Sequence, residues 1–390
     1  MIDAIAAIGD AADIRCWSGI PFYFGRAARA RGEAALPWRL PMDSFRKDSF
    51  LWNLGRVLAG QRFGGYQYSE AFLDWAERTV PATAWQGRIF SFSQHFPRSR
   101  SAASRGGRTV RYIDSTFASF CQPGGLEAHL PARVRRSALE SERENYAGSE
   151  RVVTMARWAA ESAIRDCGVP PAKVDVILPG ANVELPSDYS FPVEKGRPGL
   201  DRPLVLGFVG KDWKRKGLRF LLQVRAMLER MGLHAVVRCA GRCPAELDDE
   251  GGLEYAGFID KRRDVGRFLE FVAGCDLGCL FSEHEPLGIS TLEFLRAGVP
   301  VAGFTVEGVA DTVPPDAGFR FEPGTGAEAV ASALRAVFLD DAAVESMRAA
   351  ARKWSPLVTW ERCVDEWRQL LATGAVADPV QPWRGLKCLT

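Results

Sequence analysis

Ser282-Glu283-His284-Glu285-Pro286-Leu287-Gly288-Ile289-Ser290-Thr291-Leu292-Glu293 is the stretch on which the reading of this chain turns. Two carboxylates, Glu285 and Glu293, stand with seven residues between them around a turn that reads as the start of a helix. Upstream lies the apolar run Cys275-Asp276-Leu277-Gly278-Cys279-Leu280-Phe281, a buried strand by pattern. Downstream, Phe294-Leu295-Arg296-Ala297-Gly298 is helical in pattern and ended by glycine, and Val299-Pro300-Val301-Ala302-Gly303-Phe304 returns to a strand pattern. Strand, turn, helix and strand make one βαβ unit. The turn then falls at the carboxyl end of its strand, where open parallel sheets bind ligands. Backbone N–H groups at the helix start would face a phosphate, and the carboxylates would face hydroxyl groups.

Outward from this unit the alternation continues. Strand patterns are expected at 203–210, 234–241 and 253–258, with helices over 218–231 and 265–273. Strands alternating with helices call for a parallel sheet covered on both faces. Residues 204–355 therefore read as one complete Rossmann-like domain. The first half alternates with looser spacing. A first strand is expected to end at Ile14-Arg15-Cys16-Trp17, followed by a turn into a helix over 22–30. Further strands are expected at 87–92, 109–113, 151–155 and 173–178, with a helix over 157–166. The proline-bearing segment 191–203 reads as a linker. The expected organisation is α/β, with two Rossmann-like domains at 1–190 and 204–355 facing each other across a cleft. The tail 356–390 carries an amphipathic helix that closes the second domain or crosses back to the first.

The chain has 390 residues, of which 47% are apolar and 25% charged, in the range of globular proteins with a full core. Its net charge of +2 supplies no strong field for nucleic acid, and no aromatic-basic interleaving suggests it. No run of 18 apolar residues points to a membrane-spanning helix. The start, Met1-Ile2-Asp3-Ala4, lacks the basic region of a signal peptide, so a cytoplasmic location is expected. Nine cysteines, an odd number, argue against a closed disulfide framework. Cys239/Cys243 and Cys275/Cys279 are spaced too loosely for a zinc knuckle and read as reduced, buried thiols.

The strand ending at Gly210 runs into Lys211-Asp212-Trp213-Lys214-Arg215-Lys216-Gly217. A glycine at a strand end admits a ligand to the backbone. Lys211 and Lys216 would supply the positive charge that a diphosphate leaving group needs as its bond to sugar breaks.

These motifs, with Gly241, Gly257-Phe258 and the run from Ser282 through Ala297-Gly298-Val299-Pro300-Val301, resemble family 4 of the GT-B retaining glycosyltransferases. The resemblance is strong over 204–325 and weaker in the first half. There Trp17-Ser18-Gly19-Ile20-Pro21 resembles the family's glycine-bearing first loop. The resemblance implies roles for individual residues. Glu285 would contact hydroxyls of the donor sugar and Glu293 the ribose of the nucleotide. Lys216 would neutralise the diphosphate together with Lys211, which stands where many members carry arginine and keeps the charge without the bidentate fork. Gly19, Gly210, Leu287, Gly288 and Ile289 would offer backbone to the donor, and Phe258 and Ile259 fall where the backbone meets the base. Glu307-Gly308-Val309 stands where many members have Gly-Gly-Ile or Gly-Gly-Val, and the sequence assigns Glu307 no role.

The first half is less specific. His95 and Asp114, each after a middle strand, are the candidates for contact with the reacting centre. Arg98, Arg100, Arg105, Arg108 and Arg111 form a stretch without acids and read as a mobile basic loop. Such a loop would touch an anionic membrane at the inner face or a phosphate-linked acceptor. The resemblance implies transfer of a sugar, from a UDP- or GDP-linked donor, to a hydroxyl of a glycan, lipid-linked or small-molecule acceptor. No metal or other cofactor is expected. The alternatives are another enzyme on the same scaffold, such as a sugar-nucleotide epimerase or a phosphorylase, and a non-catalytic nucleotide-binding subunit.

Overall fold

The computed structural model describes residues 1–122, 125–191, 196–242, 251–376 and 379–380. These fall into two compact units, one drawn from Met1–Leu178 and Cys363–Pro379, the other from Pro179–Arg362 and Val380–Thr390. The chain changes unit at Leu178/Pro179, ahead of the 191–203 segment expected as the linker. Residues just past that point are tied to the second unit's own end. Ala181 N–H donates to Val358 O at 2.9 Å, and Trp360 Nε1 donates to Asn182 Oδ1 at 2.9 Å.

The first unit holds a six-stranded sheet built from β1 (Ala4–Ala6), β2 (Leu36–Pro37), β3 (Gly87–Ser91), β4 (Gly107–Ile113), β5 (Arg151–Thr154) and β6 (Val174–Val176). Its order is β2-β1-β3-β4-β5-β6, with every pairing parallel. The expected strand end at Ile14–Trp17 is corrected by β1. Ala4, Ile5 and Ala6 are its buried residues, and alanines are poor strand formers that hide the pattern. Cys16–Gly19 is instead a 3₁₀ turn, in which Trp17, Ser18 and Gly19 all have positive φ, at 47°, 56° and 92°. It feeds the helix Ile20–Ala30. β2 contains a proline and is tolerated because it lies at the sheet edge. Trp38, Phe72, Trp85, Ile89 and Phe96 form one side of this unit's core. The helix Trp360–Thr373 brings Trp367 edge-on to Phe90 and Tyr112 on the other side.

The second unit holds β7 (Leu204–Gly210), β8 (Ala235–Gly241), β9 (Leu253–Gly257), β10 (Leu277–Leu280), β11 (Val301–Phe304) and β12 (Gly318–Phe321). The order is β12-β11-β10-β7-β8-β9, again all parallel. The expected strands and the helix Val265–Ala273 appear within a residue or two of their expected limits. In the helix Leu218–Arg230, Leu221, Val224 and Leu228 recur at helical spacing and pack with Leu204, Leu206 and Phe208 of β7. From β7 the chain winds one way through β8 and β9, then returns to place β10 on β7's other side. The sheet therefore has its switch point between β7 and β10, where the connections after these strands part and leave a crevice.

Both sheets are the doubly wound layers of two Rossmann-like domains, the GT-B fold class. Among the described residues, no helix is long and apolar enough to cross a membrane.

Candidate functional site

The connections after β7 and β10 meet at this switch point. After β7 the chain turns through 211–217 and enters the helix Leu218–Arg230 from Gly217, at φ 78°. A Cβ there would lie 2.2 Å from Phe281 O, so only glycine lets this loop press against the end of β10. After β10 the chain passes Glu285 and enters the helix Ile289–Arg296 from Gly288, at φ 79° and with no side-chain cap. Thr291 N–H donates to Gly288 O at 3.0 Å, and no side chain caps the N–H groups ahead of it, which a helix start can offer to an anion.

Glu285 ties the two loops together. Its Oε2 accepts from Lys216 Nζ at 2.9 Å and from Arg215 Nη1 at 3.1 Å. Arg215 Nη1 also donates to His284 O, and Glu283 N–H donates to Arg215 O at 3.2 Å. Glu285 is 8% exposed, and burial alone would raise its carboxyl; the Lys216 and Arg215 cations outweigh burial and hold it below the usual carboxylate range. The result is a desolvated, ionised carboxylate within one bond of two cations.

Glu307, unassigned from sequence, supports this arrangement. It follows β11 with φ 44°, a left-handed conformation uncommon outside glycine. Its Oε2 accepts the Glu285 N–H at 2.7 Å, and its Oε1 lies 3.2 Å from His284 Nδ1. His284 is thus bound into the same network.

Glu293 lies on the helix Ile289–Arg296, 2% exposed, and accepts from Lys261 Nζ. Lys261 Nζ also donates to Asn182 O at 3.3 Å. Complete burial raises the Glu293 carboxyl above its ordinary value, against the pull of Lys261 and, more weakly, Lys216. Lys211 is exposed, with its ammonium 5.3 Å from the centre of the Phe258 ring. Phe258 is 55% exposed and Ile259 is buried. Gly210 ends β7 beside Lys216, whose Cδ lies 2.6 Å from where a Cβ would be. Leu287 and Gly288 are buried and Ile289 is half-buried. The structure thus brings Glu285 to Lys216 and pairs Glu293 with Lys261. Arg215 and Lys261 were missed by sequence reasoning. Arg215 adjoins the recognised Lys216, and Lys261 stands two residues past Ile259, so both lay within reach of the motif.

In the first unit, Gly19 starts the helix Ile20–Ala30, while His95 and Asp114 follow β3 and β4. Asp114 is half-buried and accepts from Ser115 Oγ at 3.0 Å. His95 is 1% exposed between the rings of Tyr68 and Phe117, at centroid distances of 4.9 and 5.4 Å. Burial, with help from the nearby Arg111 cation, lowers its pKa to about 3, so it is neutral at physiological pH. Gln94 Nε2 donates to Ser115 O at 2.7 Å and joins the two loops.

The expected mobile basic loop is corrected. Residues Ser99–Ala103 are helical and Gly107–Ile113 is β4. Arg98 pairs with Glu70, Asp74 and Glu77 on the helix Glu70–Thr79. Arg111 is fully buried and donates to the carbonyls of Ser93, Phe96 and Pro97. Arg105 stacks on Trp85, 4.0 Å from the ring centre. Arg98 and Arg111 are thus buried within the unit, while Arg100, Arg105 and Arg108 remain exposed.

Cys275 and Cys279 are buried in and before β10, with burial pushing both thiols up. Cys243, half of the other cysteine pair, lies outside the described residues. Among the described residues, no group of three or more His, Cys, Asp or Glu could hold a metal ion.

Comparison with known proteins follows the same division. Residues 203–340 match the family model described as glycosyl transferases group 1. A 2-deoxystreptamine glucosyltransferase of Streptomyces kanamyceticus is 30% identical over 240 residues, covering 59% of this chain and 60% of its own length. A D-inositol 3-phosphate glycosyltransferase of Corynebacterium urealyticum is 27% identical over 216 residues, 51% of each chain. The chain thus spans between half and two thirds of the length of these curated relatives. Among solved structures, a sucrose-phosphate synthase from Thermosynechococcus elongatus superposes with a TM-score of 0.67 at 16% identity, over 95% of this chain and 99% of its own. HepE of Anabaena, in complex with UDP and glucose, superposes with a TM-score of 0.61 at 14% identity, over 96% of this chain and 100% of its own. At such identities these two likenesses concern the fold alone.

Proposed function

We propose, from the premise that this chain belongs through residues 203–340 to the glycosyl transferases group 1 of the GT-B fold, that it is a retaining, metal-independent glycosyltransferase. It takes a nucleotide-linked sugar and transfers the sugar to a hydroxyl of a glycan, lipid-linked or small-molecule acceptor. A cytoplasmic location, with no nucleic-acid partner, belongs to the same reading.

The observation that carries it is the Lys216–Glu285–Arg215 cluster at the switch point of the second sheet. Lys216 and the backbone N–H groups of Leu287, Gly288 and Ile289 neutralise the diphosphate, with Lys211 adding charge from the loop edge. Glu285, ionised, accepts from hydroxyls of the donor sugar, and Glu293 from the ribose. Phe258 and Ile259 border the base. In the reaction, the bond from the anomeric carbon to the diphosphate oxygen breaks and its electron pair leaves with the diphosphate. The acceptor oxygen bonds to the anomeric carbon on the same face, and its proton passes to the departing phosphate oxygen. The cations lower the barrier by stabilising charge that develops on that oxygen. Asp114 orients the acceptor hydroxyl. His95, neutral and enclosed between Tyr68 and Phe117, supports the loop after β3.

The test is thermal stabilisation by UDP, GDP, ADP and their sugar conjugates, with and without EDTA. HepE was solved with UDP, so UDP leads the series. A ligand that binds only the folded state raises the melting temperature by mass action. One nucleotide family should stabilise the protein regardless of EDTA, and Glu293→Ala should abolish the effect. The matching sugar conjugate should then be consumed when acceptors are supplied. No shift with any nucleotide, in folded protein, would overturn the reading.

A further inference from the structure

The helix Arg46–Leu58 is turned inside out. Its inward side is polar: Trp52 Nε1 and Arg56 Nη1 donate to Gly64 O at 3.0 and 3.1 Å, and Asn53 Oδ1 accepts Gly64 N–H at 2.7 Å. Its outward side is apolar. Phe50 is 66% exposed, Leu51 63%, Leu54 42%, Val57 57% and Leu58 79%, and Phe63 beyond the helix end is 73% exposed. At about 100° per residue the five helical positions fall in one arc of about 120°, the width of a stripe that ordinarily faces a core. A protein that exposes one such residue needs no explanation, but a continuous stripe of them marks a contact surface.

Charge around the stripe selects what it meets. Lys47 falls inside the apolar arc and Arg46 at its edge, both exposed, and exposed Arg62 adjoins Phe63. Asp48, the acid within the helix, falls on the opposite side of the wheel. Asp43, before the helix, makes a long, exposed ion pair with Arg46 at 3.9 Å, which leaves Lys47 as the cation inside the arc. An apolar stripe bearing cations and no acid fits the interface of an anionic bilayer, where the side chains enter the acyl boundary and the cations meet lipid phosphates. A twofold pairing of two copies through this face would oppose like charges across the apolar contact.

We propose that the helix Arg46–Leu58 is an interfacial anchor that seats the first unit on an anionic lipid bilayer. The proposal is independent of the transferase reading. It also places lipid contact on a surface other than the 98–111 stretch, whose Arg98 and Arg111 are buried.

The test is flotation of the full chain with vesicles of phosphatidylcholine alone and with phosphatidylglycerol added. The expected result is partition onto the phosphatidylglycerol vesicles only, weakening as salt is raised. Phe50→Ser with Leu54→Ser should lower partition by at least about tenfold. Arg46→Ala with Lys47→Ala should lower it by about thirtyfold, roughly fivefold per cation. Both variants change exposed side chains, so their melting temperatures should match the parent's, which separates lost binding from lost folding. Failure to bind either vesicle, or binding that survives Phe50→Ser with Leu54→Ser, would overturn the proposal. So would self-association in solution that this variant abolishes, with no vesicle binding, since the face would then join copies of the chain.

Discussion

Removing the Glu307 side chain tests whether the candidate donor site is held by this residue or merely tolerates it. Glu307 sits at φ 44°, at a position where the family resemblance implies glycine. Glu307→Gly relieves a left-handed backbone worth about 1 kcal/mol. It also adds chain entropy to the unfolded state, at a cost of about 0.5–1 kcal/mol. These two backbone effects nearly cancel. What remains is the carboxylate's bond to the Glu285 N–H, at 2.7 Å on a residue 8% exposed, with the His284 contact beside it. Loss of a hydrogen bond to a charged acceptor that leaves a buried donor costs about 1.5–3 kcal/mol. Glu307→Gly should therefore destabilise by about 2 kcal/mol, and Glu307→Ala, which keeps the strained backbone, by slightly more. Glu307→Gln keeps a neutral acceptor and should lose about half as much. For a unit of this size, 2 kcal/mol lowers the melting temperature by about 4–8 °C. Scanning calorimetry of the four proteins should rank parent, Gln, then Gly close above Ala. A Glu307→Gly protein that melts at or above the parent would refute the argument, because backbone relief would then outweigh the bond.

Lys216→Met should lower donor consumption about 10²- to 10³-fold, measured as nucleotide released. A loss under threefold would remove Lys216 from the diphosphate site. Arg98→Ala strands Glu77, whose side chain is 4% exposed, and should cost the first unit about 3–5 kcal/mol in urea unfolding. Arg98→Ala with Glu77→Leu should recover part of that; equal instability of both would show the ion pair is not the cause. Glu285 and Glu293 should give acid titrations of opposite sign. The depressed Glu285 carboxyl contributes stability that is present above its ordinary value of 4.5 and lost as pH falls below it, so Glu285→Gln should flatten that acid limb. The raised Glu293 carboxyl contributes stability that is present below 4.5 and lost as pH rises through its elevated value, so Glu293→Gln should flatten the opposite slope there. Stability curves of both variants against the parent, from pH 3 to about pH 7, read the two effects separately.

The second sheet and its loops were legible because their chemistry is local. β7 and β8 are apolar runs that end at Gly210 and Gly241, β10 is one that runs out to Ser282, and charged residues follow each within a few positions. Distance along the chain and distance in space agree within each strand and its loop, so order and spacing identify the fold, while the switch point between β7 and β10 follows from the strand order. The pairing of the charges did not follow. Sequence offers Lys211 and Lys216 equally, and only the loop's path puts Lys216 on Glu285 while Lys211 stays exposed. Lys261 reaches Glu293 from the connection after β9, a partner 32 residues away that no local pattern joins to it.

The first unit misled for a different reason: charge and hydrophobicity fix which residues differ from their surroundings, not which way they face. Arg98 to Arg111 read as a solvated loop because no acid lies among them, yet Glu70, Asp74 and Glu77 recur at one-face spacing on the helix Glu70–Thr79 and take Arg98. That acidic stripe was readable, and it announces a buried cation from elsewhere. The helix Arg46–Leu58 carries the same ambiguity with the opposite outcome. It is amphipathic like the helix Leu218–Arg230, though less strongly, and in the latter Leu221, Val224 and Leu228 are buried. In Arg46–Leu58 the polar residues Trp52, Asn53 and Arg56 find fixed partners on Gly64, which turns the apolar side outward. A bond between neighbours in the chain thus decides the orientation of a helix whose hydrophobic pattern alone would have buried the other face.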